Sequence, residues 1–221
     1  MFKKVFISLC LLVVCLGVAG CGKTINSVVQ ENMSEITKDY YFGENDVFYA
    51  SISVGERETD YHYDGNSTEN VNYALLTIKF ADDLNEQIIW VQVASGENSV
   101  QLEAEYNELG DTFMVDLIDE IELSDTVFVN YEGQSAELTK LSSEFSIDYN
   151  RAIEIACETF QTELDELKSF THFNGECYLR ILNQKENNFD DFYWCFTCLG
   201  QDGGTFSAII STTDGSVLAK S

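Results

Sequence analysis

Apolar and polar residues alternate with a period of two through the first two thirds of the chain. From Val47 onward, short runs of this kind are separated by segments rich in Gly, Asn, Asp and Ser, which favour turns. Alternate side chains of a strand point to the same face, so each run can bury one face and expose the other. The apolar positions of the six clearest runs are Phe48, Ala50, Ile52 and Val54; Ala74, Leu76, Ile78 and Phe80; Ile89, Val91 and Val93; Val100, Leu102 and Ala104; Phe113, Val115 and Leu117; and Val127, Val129 and Tyr131.

Six or seven short strands separated by turns are typical of an antiparallel β-sandwich. We therefore predict an all-β sandwich over residues 46–143, and its architecture resembles that of immunoglobulin domains. The resemblance is limited to architecture, because this segment contains Trp90 but no cysteine pair. Sandwiches of this kind serve as adhesion modules, ligand-binding modules or spacers, so the fold alone does not indicate an activity.

A different period begins near residue 147 and indicates a second domain. Asp148 is a favourable helix N-cap, and apolar residues then recur every three or four positions, which predicts an amphipathic helix over 149–169. Alternating segments follow around Leu179, Phe196 and Ile210, with a turn at Asp202-Gly203. The pattern predicts one helix on a three- to four-stranded antiparallel sheet, which is a small α+β domain over 147–221. The apolar stripe of the helix comprises Ile153, Ala156, Cys157, Phe160, Leu164 and Leu167.

This second segment resembles the PepSY family. The similarity lies in Arg151–Ala156 of the helix, the aromatic run Phe192–Phe196, the Asp202-Gly203 turn and the closing stretch Ile209–Leu218. PepSY-like domains occur in propeptides of secreted metallopeptidases and in cell-envelope proteins. The resemblance implies a PepSY-like α+β fold and a regulatory role toward an envelope peptidase, exerted on a separate protein because no peptidase domain follows in this chain.

The N-terminus has the organisation of a secretory signal. Lys3 and Lys4 precede an apolar run of about 14 residues, which is shorter than the roughly 20 that a membrane-spanning helix needs. The run ends at Val18-Ala19-Gly20-Cys21, which resembles the lipobox of bacterial lipoproteins. The resemblance implies a signal peptide over 1–20, lipidation of Cys21 and attachment to the outer face of the bacterial cell membrane. Residues 21–45 lack a dense apolar pattern and are predicted to form a tether.

The chain is strongly acidic. Twelve Lys and Arg face 38 Asp and Glu, for a net charge of −26, and removal of Lys3 and Lys4 with the signal leaves 10 basic residues against 38 acidic ones. Nucleic acids and anionic headgroups require a basic footprint, so nucleic-acid binding is excluded. We expect the membrane contact to be made through the Cys21 lipid.

An acidic loop between Gly55 and Val71 is a candidate cation site. An EF-hand starting at Asp60 would place His62 and Val71 at positions that require oxygen ligands, so that motif does not fit. A looser Ca²⁺ site and a merely solvated acidic loop both remain open. The candidate ligands are Asp60, Asp64 and Glu69.

Four cysteines follow Cys21, and all of them lie in the second segment. Cys195 and Cys198 have C-x-x-C spacing but lie in a predicted strand, where residues i and i+3 point to opposite faces. Cys157, Cys177 and Cys198 can all face the core between helix and sheet. Buried free thiols, one structural disulfide from Cys157 to Cys177 or Cys198, and a metal site remain open.

The sequence favours a binding protein over an enzyme. It contains only His62 and His172, no glycine-rich phosphate loop and no H-E-x-x-H motif. We therefore predict no catalytic residues. The expected function is that of a lipid-anchored extracytoplasmic binding or regulatory protein with an unknown protein partner, such as a peptidase. The alternative is adhesion or ligand binding by the sandwich, or a spacer role.

Overall fold

The computed structural model describes residues 24–59, 69–169, 172–187, 189–201 and 203–221. Eight strands form a closed barrel in the order β1-β2-β3-β6-β5-β4-β7-β8, and every neighbouring pair is antiparallel. Their bounds are β1 Met33–Glu44, β2 Phe48–Glu58, β3 Asn70–Phe80, β4 Ile88–Ser95, β5 Asn98–Asn107, β6 Thr112–Asp116, β7 Thr126–Tyr131 and β8 Gln134–Lys140.

The period-two pattern fills the barrel interior. Ala50, Ile52, Leu76, Ile78 and Val93 are fully buried, while the residues between them on the same strands point outward. Removing these side chains from water is the main stabilising contribution, roughly 1.5–3 kcal/mol for each large aliphatic side chain.

The predicted sandwich is wrong, because the sheet closes on itself. Strand β1 pairs with β8 through Tyr41 opposite Lys140 and Phe42 opposite Thr139. A sandwich would consist of two sheets that face each other without such a ladder. Closure removes the exposed strand edges that an open sheet of this length would carry.

Two glycines allow the first strands to follow this curvature. A Cβ on Gly43 would overlap the Glu137 carbonyl oxygen, and a Cβ on Gly55 would overlap the Ile36 carbonyl oxygen. The register of β1 against β2 also shifts between Thr37 and Asp39, so Lys38 occupies a bulge. Glycines and bulges are the usual means of bending strands at a barrel corner.

The sheet continues beyond the barrel through β1. Strand β9 (Gly175–Leu182) runs parallel to the beginning of β1, with Met33 opposite Cys177 and Ile36 opposite Leu179. Strands β10 (Tyr193–Gly200), β11 (Thr205–Ser211) and β12 (Val217–Lys220) follow as antiparallel neighbours. The described strands thus form one sheet, and β1 belongs to both of its parts.

Short helices cover one face of this extension. They are α1 Ile25–Glu31, α2 Tyr149–Thr159 and α3 Gln161–Leu167, with a 3-10 turn at Leu141–Ser143 and a single turn, α4, at Gln184–Asn187. The Asp148 carboxylate accepts a hydrogen bond of 2.8 Å from the Arg151 N–H and caps α2, as the sequence predicted. The single helix predicted over 149–169 is instead interrupted at Phe160, whose φ of −116° and ψ of 30° are not helical.

The predicted separate PepSY-like α+β domain is also wrong. Its core includes Val28, Val29, Met33 and Ile36, which come from the stretch expected to be a tether. From Ile25 onward that stretch is folded as α1 and β1. Because β9 hydrogen-bonds to β1, the strands of residues 175–220 extend the barrel sheet and do not form an independent sheet.

A buried polar and aromatic seam joins the barrel to the extension. The Asn183 side-chain amide, 1% exposed, donates to the Tyr40 hydroxyl at 3.1 Å. The Phe192 ring packs at 5.8 Å from the Tyr40 ring and 5.3 Å from the Phe42 ring. Satisfied polar contacts of this kind fix the relative position of the two packed parts.

No helix among the described residues is both long and apolar enough to cross a membrane.

Candidate ligand-binding groove

A concave groove of about 620 Å³ runs across the outer face of β1, β2, β3 and β6. We call it the outer groove. The turn between β5 and β6 bounds one end, and Arg180 of β9 stands at the other. Its lining comprises Glu35, Thr37, Tyr40, Ser51, Ser53, Arg57, Tyr73, Leu75, Thr77, Lys79, Asn107, Leu109, Gly110, Thr112, Met114, Arg180 and Ile181.

Hydroxyl groups form the floor of the outer groove. Ser51 lies opposite Thr77 on β3, and Ser53 lies opposite Tyr40 on one side and Leu75 on the other. These positions alternate with interior residues such as Ile52, so strand periodicity places them together on the outer wall. The hydroxyls of Ser51, Ser53 and Thr77 make no hydrogen bond to another described residue, and they line the groove.

Thr37 and Tyr73 form the next part of the floor of the outer groove, beyond Ser53. Their hydroxyl oxygens lie 3.0 Å apart, and each residue is only 2% exposed. Burial raises the pKa of Tyr73 to about 12, and Glu35 adds to this increase, whereas the Thr37 hydrogen bond and the two nearby arginines oppose it. Tyr73 is therefore a neutral phenol at physiological pH, and it can position a ligand or a neighbour without acting as a base.

Ion pairs occupy the ends of the outer groove. At one end Glu35 accepts from Arg180 Nε at 2.8 Å and from Arg180 Nη2 at 2.5 Å. Beside them Arg57 Nη2 lies 3.2 Å from Asp116 Oδ2, and at the opposite end Lys79 Nζ lies 3.6 Å from Asp111 Oδ2. Two of the three arginines of this acidic chain thus line one groove.

Two of these cations are oriented by aromatic rings. The Arg57 guanidinium lies 5.3 Å from the centre of the Tyr73 ring, and the Arg180 guanidinium lies 5.4 Å from the centre of the Tyr178 ring. Stacking of this kind stabilises a guanidinium by about 0.5–1 kcal/mol at an exposed site.

The lining of the outer groove suits a polar ligand. It combines hydroxyl, guanidinium and ammonium groups in one concave surface. Such groups provide directional hydrogen bonds to the polar atoms of a ligand.

One of the three candidate calcium ligands, Glu69, lies within the described residues. Cys21, Asp60 and Asp64 lie outside the described residues. Glu69 is described and exposed, and its backbone carbonyl accepts a 2.7 Å hydrogen bond from the Thr59 hydroxyl. Within the described ranges, no group of three or more His, Cys, Asp or Glu residues could hold a metal ion.

The three cysteines predicted to face the core do so. Cys157 of α2, Cys177 of β9 and Cys198 of β10 are buried in the core between α2 and the sheet, and Cys177 lies opposite Cys198 in the β9–β10 register. All three are free thiols, as is the half-buried Cys195 on the other face of β10. Burial raises the pKa of the Cys157 thiol to about 12, so this thiol stays protonated and unreactive.

Sequence reasoning did not identify the outer groove. Arg57, Lys79 and Arg180 lie far apart in the chain, and only the strand register brings them to one surface. The signal available in the sequence was the scarcity of basic residues, which makes any cluster of them noteworthy.

Comparisons with known protein families, with curated proteins and with solved structures find no match.

Proposed function

We propose that this protein is a lipid-anchored extracytoplasmic binding protein and that the outer groove is its ligand site. One observation carries the proposal: a preformed concave surface has at its floor three hydroxyls, of Ser51, Ser53 and Thr77, without hydrogen bonds to other described residues. Such groups find partners in water or in a ligand. A ligand that matches them would replace several water contacts at once.

The proposed anchor would hold the folded body close to the bilayer. The Thr24 side chain accepts from the Ser27 N–H and caps α1 at Ile25, so Gly22 and Lys23 alone separate Cys21 from the cap. Three extended peptide links reach about 11 Å. The segment between the lipid and the folded body is therefore much shorter than the 25-residue tether expected from the sequence. The outer groove would act near the membrane surface.

A role in modulating an envelope peptidase is less well supported. That expectation depended on an independent α+β domain, whereas the helices α2 and α3 here cover a sheet that continues into the barrel. Ligand binding by the barrel is the alternative that a specific surface favours. An unknown protein partner remains compatible with it.

The anchor is tested by mass spectrometry of the mature protein. We expect a diacylated N-terminal Cys21, and Cys21→Ala should move the protein from the membrane fraction to the soluble fraction. An unmodified or differently cleaved N-terminus would refute the anchor without affecting the outer groove.

The outer groove is tested with a natural mixture of small molecules, so that no single ligand has to be chosen in advance. The purified protein is equilibrated with the small-molecule fraction of the source cells and examined by native mass spectrometry. We expect a retained mass that is lost in Ser53→Phe, which fills the groove, and kept in Ser135→Phe. Ser135 is a suitable control because it is an exposed serine on β8 outside the groove. A groove ligand would be contradicted if the unmodified protein retained no added mass, or if Ser53→Phe and Ser135→Phe retained it equally.

A further inference from the structure

We infer that the outer groove binds an acidic ligand that presents a carboxylate or phosphate group to Arg57, an inference that rests on the proposed function. The hydrogen-bonding groups of the groove are unevenly used. Its lining carboxylate, Glu35, accepts through both oxygens from Arg180, whereas Arg57, Lys79 and the hydroxyls of Ser51, Ser53 and Thr77 retain donors that no other described residue uses. This imbalance determines which chemistry fits.

Arg57 is the principal unused donor. Its Nη2 makes one hydrogen bond, of 3.2 Å, to Asp116, and its ring contact is with Tyr73. A guanidinium carries several N–H donors in one plane and binds a carboxylate or phosphate through two of them. Arg57 lines the groove, and its single hydrogen bond to Asp116, which is 43% exposed, leaves its other N–H donors without a partner among the described residues.

The carboxylates nearest the Arg57 end of the outer groove are Glu35 in its lining and Asp116 beside it, and both already accept from protein groups. Asp116 accepts from Arg57 through Oδ2 and from the Ile118 N–H through Oδ1 at 3.0 Å. Both Glu35 oxygens accept from Arg180. A cationic ligand would have to compete with these contacts, whereas an anionic ligand adds contacts to donors that are unused.

Lys79 provides a second donor at the far end. Its Nζ lies 3.6 Å from Asp111, which exceeds hydrogen-bond distance, and Asp111 already accepts from the Tyr106 hydroxyl at 2.9 Å. Leu75, which lies opposite Asp116, precedes Lys79 by four positions on β3, or about 13 Å along the strand. The hydroxyls of Ser51, Ser53 and Thr77 lie along this interval.

The ligand class that follows is a small, polar molecule with one acid group at Arg57 and acceptor oxygens along the hydroxyl floor. A second acid group at Lys79 would engage both ends. Neutral polyols would use the hydroxyls but leave the Arg57 and Lys79 donors to water, so they should bind more weakly.

The test uses calorimetric titration of the full chain with inorganic phosphate, with citrate as a tricarboxylate, and with erythritol as a neutral polyol. We expect saturable binding of at least one of the two anions and none of erythritol in the same concentration range. The anion that binds identifies the acid group. Arg57→Gln should weaken that binding by about tenfold or more, because a charge-assisted hydrogen bond is lost.

Arg151→Gln is the matched control. Arg151 is an exposed arginine of α2 that pairs with Glu154 and Glu158, and it does not line the groove, so its substitution should leave anion binding unchanged. Lys79→Gln, which alters no hydrogen bond between described residues, is the second groove variant and should weaken binding of citrate. Equal losses in Arg57→Gln and Arg151→Gln would overturn the inference, because they would indicate a nonspecific charge effect.

The two proposals can fail separately. If neither anion binds while the native mass experiment still recovers a neutral molecule that Ser53→Phe excludes, the outer groove is a ligand site and the acidic ligand is wrong. If neither anion binds and no mass is retained, the outer groove is not a ligand site and the acidic ligand is wrong as well.

Discussion

Replacing Gly55 with alanine tests the close approach of β1 and β2 behind the outer groove. A Cβ at this position would overlap the Ile36 carbonyl oxygen and lie 2.9 Å from its carbonyl carbon and 3.1 Å from Thr37 Cα. Ordinary contacts between carbon atoms are about 3.5–4.0 Å, so the two backbones must separate by roughly 1 Å. The separation occurs where β1 passes from the barrel to the extension.

The expected cost follows from these contacts. Overpacking against backbone costs about 1–3 kcal/mol, and loss of one ladder hydrogen bond adds about 1 kcal/mol. We expect Gly55→Ala to lower the free energy of unfolding by about 2–4 kcal/mol, which is a large part of a typical total of 5–15 kcal/mol. In urea unfolding followed by tryptophan fluorescence, the midpoint should fall by about 1 M.

Gly110→Ala is the matched control for this measurement. A Cβ on Gly110 meets the Thr112 side chain, with the closest atom, Oγ1, at 3.0 Å, and that side chain can rotate away. We expect a change within about 0.5 kcal/mol. Equal midpoints for the Gly55 and Gly110 variants would refute the close approach of the two strands.

Three further measurements address other parts of the structure. Because burial raises the pKa of Tyr73 from 10.0 to about 12, its stabilising contribution should be complete below pH 10 and be lost as the pH rises through 12. Between pH 10 and 12, the free energy of unfolding should therefore fall by about 2–3 kcal/mol less in Tyr73→Phe than in the unmodified protein. The same dependence of the free energy of unfolding on pH in both proteins would contradict this. Asp148→Ala should cost about 1 kcal/mol in urea unfolding through loss of the α2 cap, while Asp148→Asn retains most of it; equal losses would exclude capping as the cause. Thiol titration should show that Cys157, Cys177 and Cys198 react only after denaturation, with no reductant needed; rapid reaction of these thiols in the native protein would show that the core opens.

The alternating pattern predicted strands well and their arrangement poorly. The runs around Ile52, Ile78 and Val91 correspond to β2, β3 and β4. An alternating pattern shows which side chains of a strand share a face, but it does not show which strands are neighbours in the sheet. Closure of the barrel depends on the β1–β8 pairing, which joins residues about 100 positions apart and leaves no local signal.

Strand β1 was missed for a physical reason. Met33 and Ile36 pack in the core of the extension, Tyr41 packs in the barrel, and Tyr40 is buried in the seam between them. A strand covered on both faces does not alternate, and the bulge at Lys38 shifts its phase. The same stretch therefore reads as an irregular tether in the sequence.

The candidate site could not be predicted from its own residues. Ser51, Ser53 and Thr77 are the polar half of an alternating pattern and look like any solvated strand face. They form the floor of the outer groove because the outer wall of the barrel is concave between the β5–β6 turn and β9. The interruption at Phe160 was hidden for a similar reason, because the apolar stripe of the helix continues across the break to Leu164.

The shared strand β1 sets the order in which this chain can fold. It precedes the other described strands along the chain, yet Phe42 must pair with Thr139 and Met33 with Cys177. The barrel core needs the chain through β8 and the core of the extension needs it through β11. Pairings of such large sequence separation belong to topologies that fold in milliseconds to seconds. Strand β1 therefore stays incompletely paired until β8 and β9 have been made, and an unpaired strand edge of this kind favours aggregation.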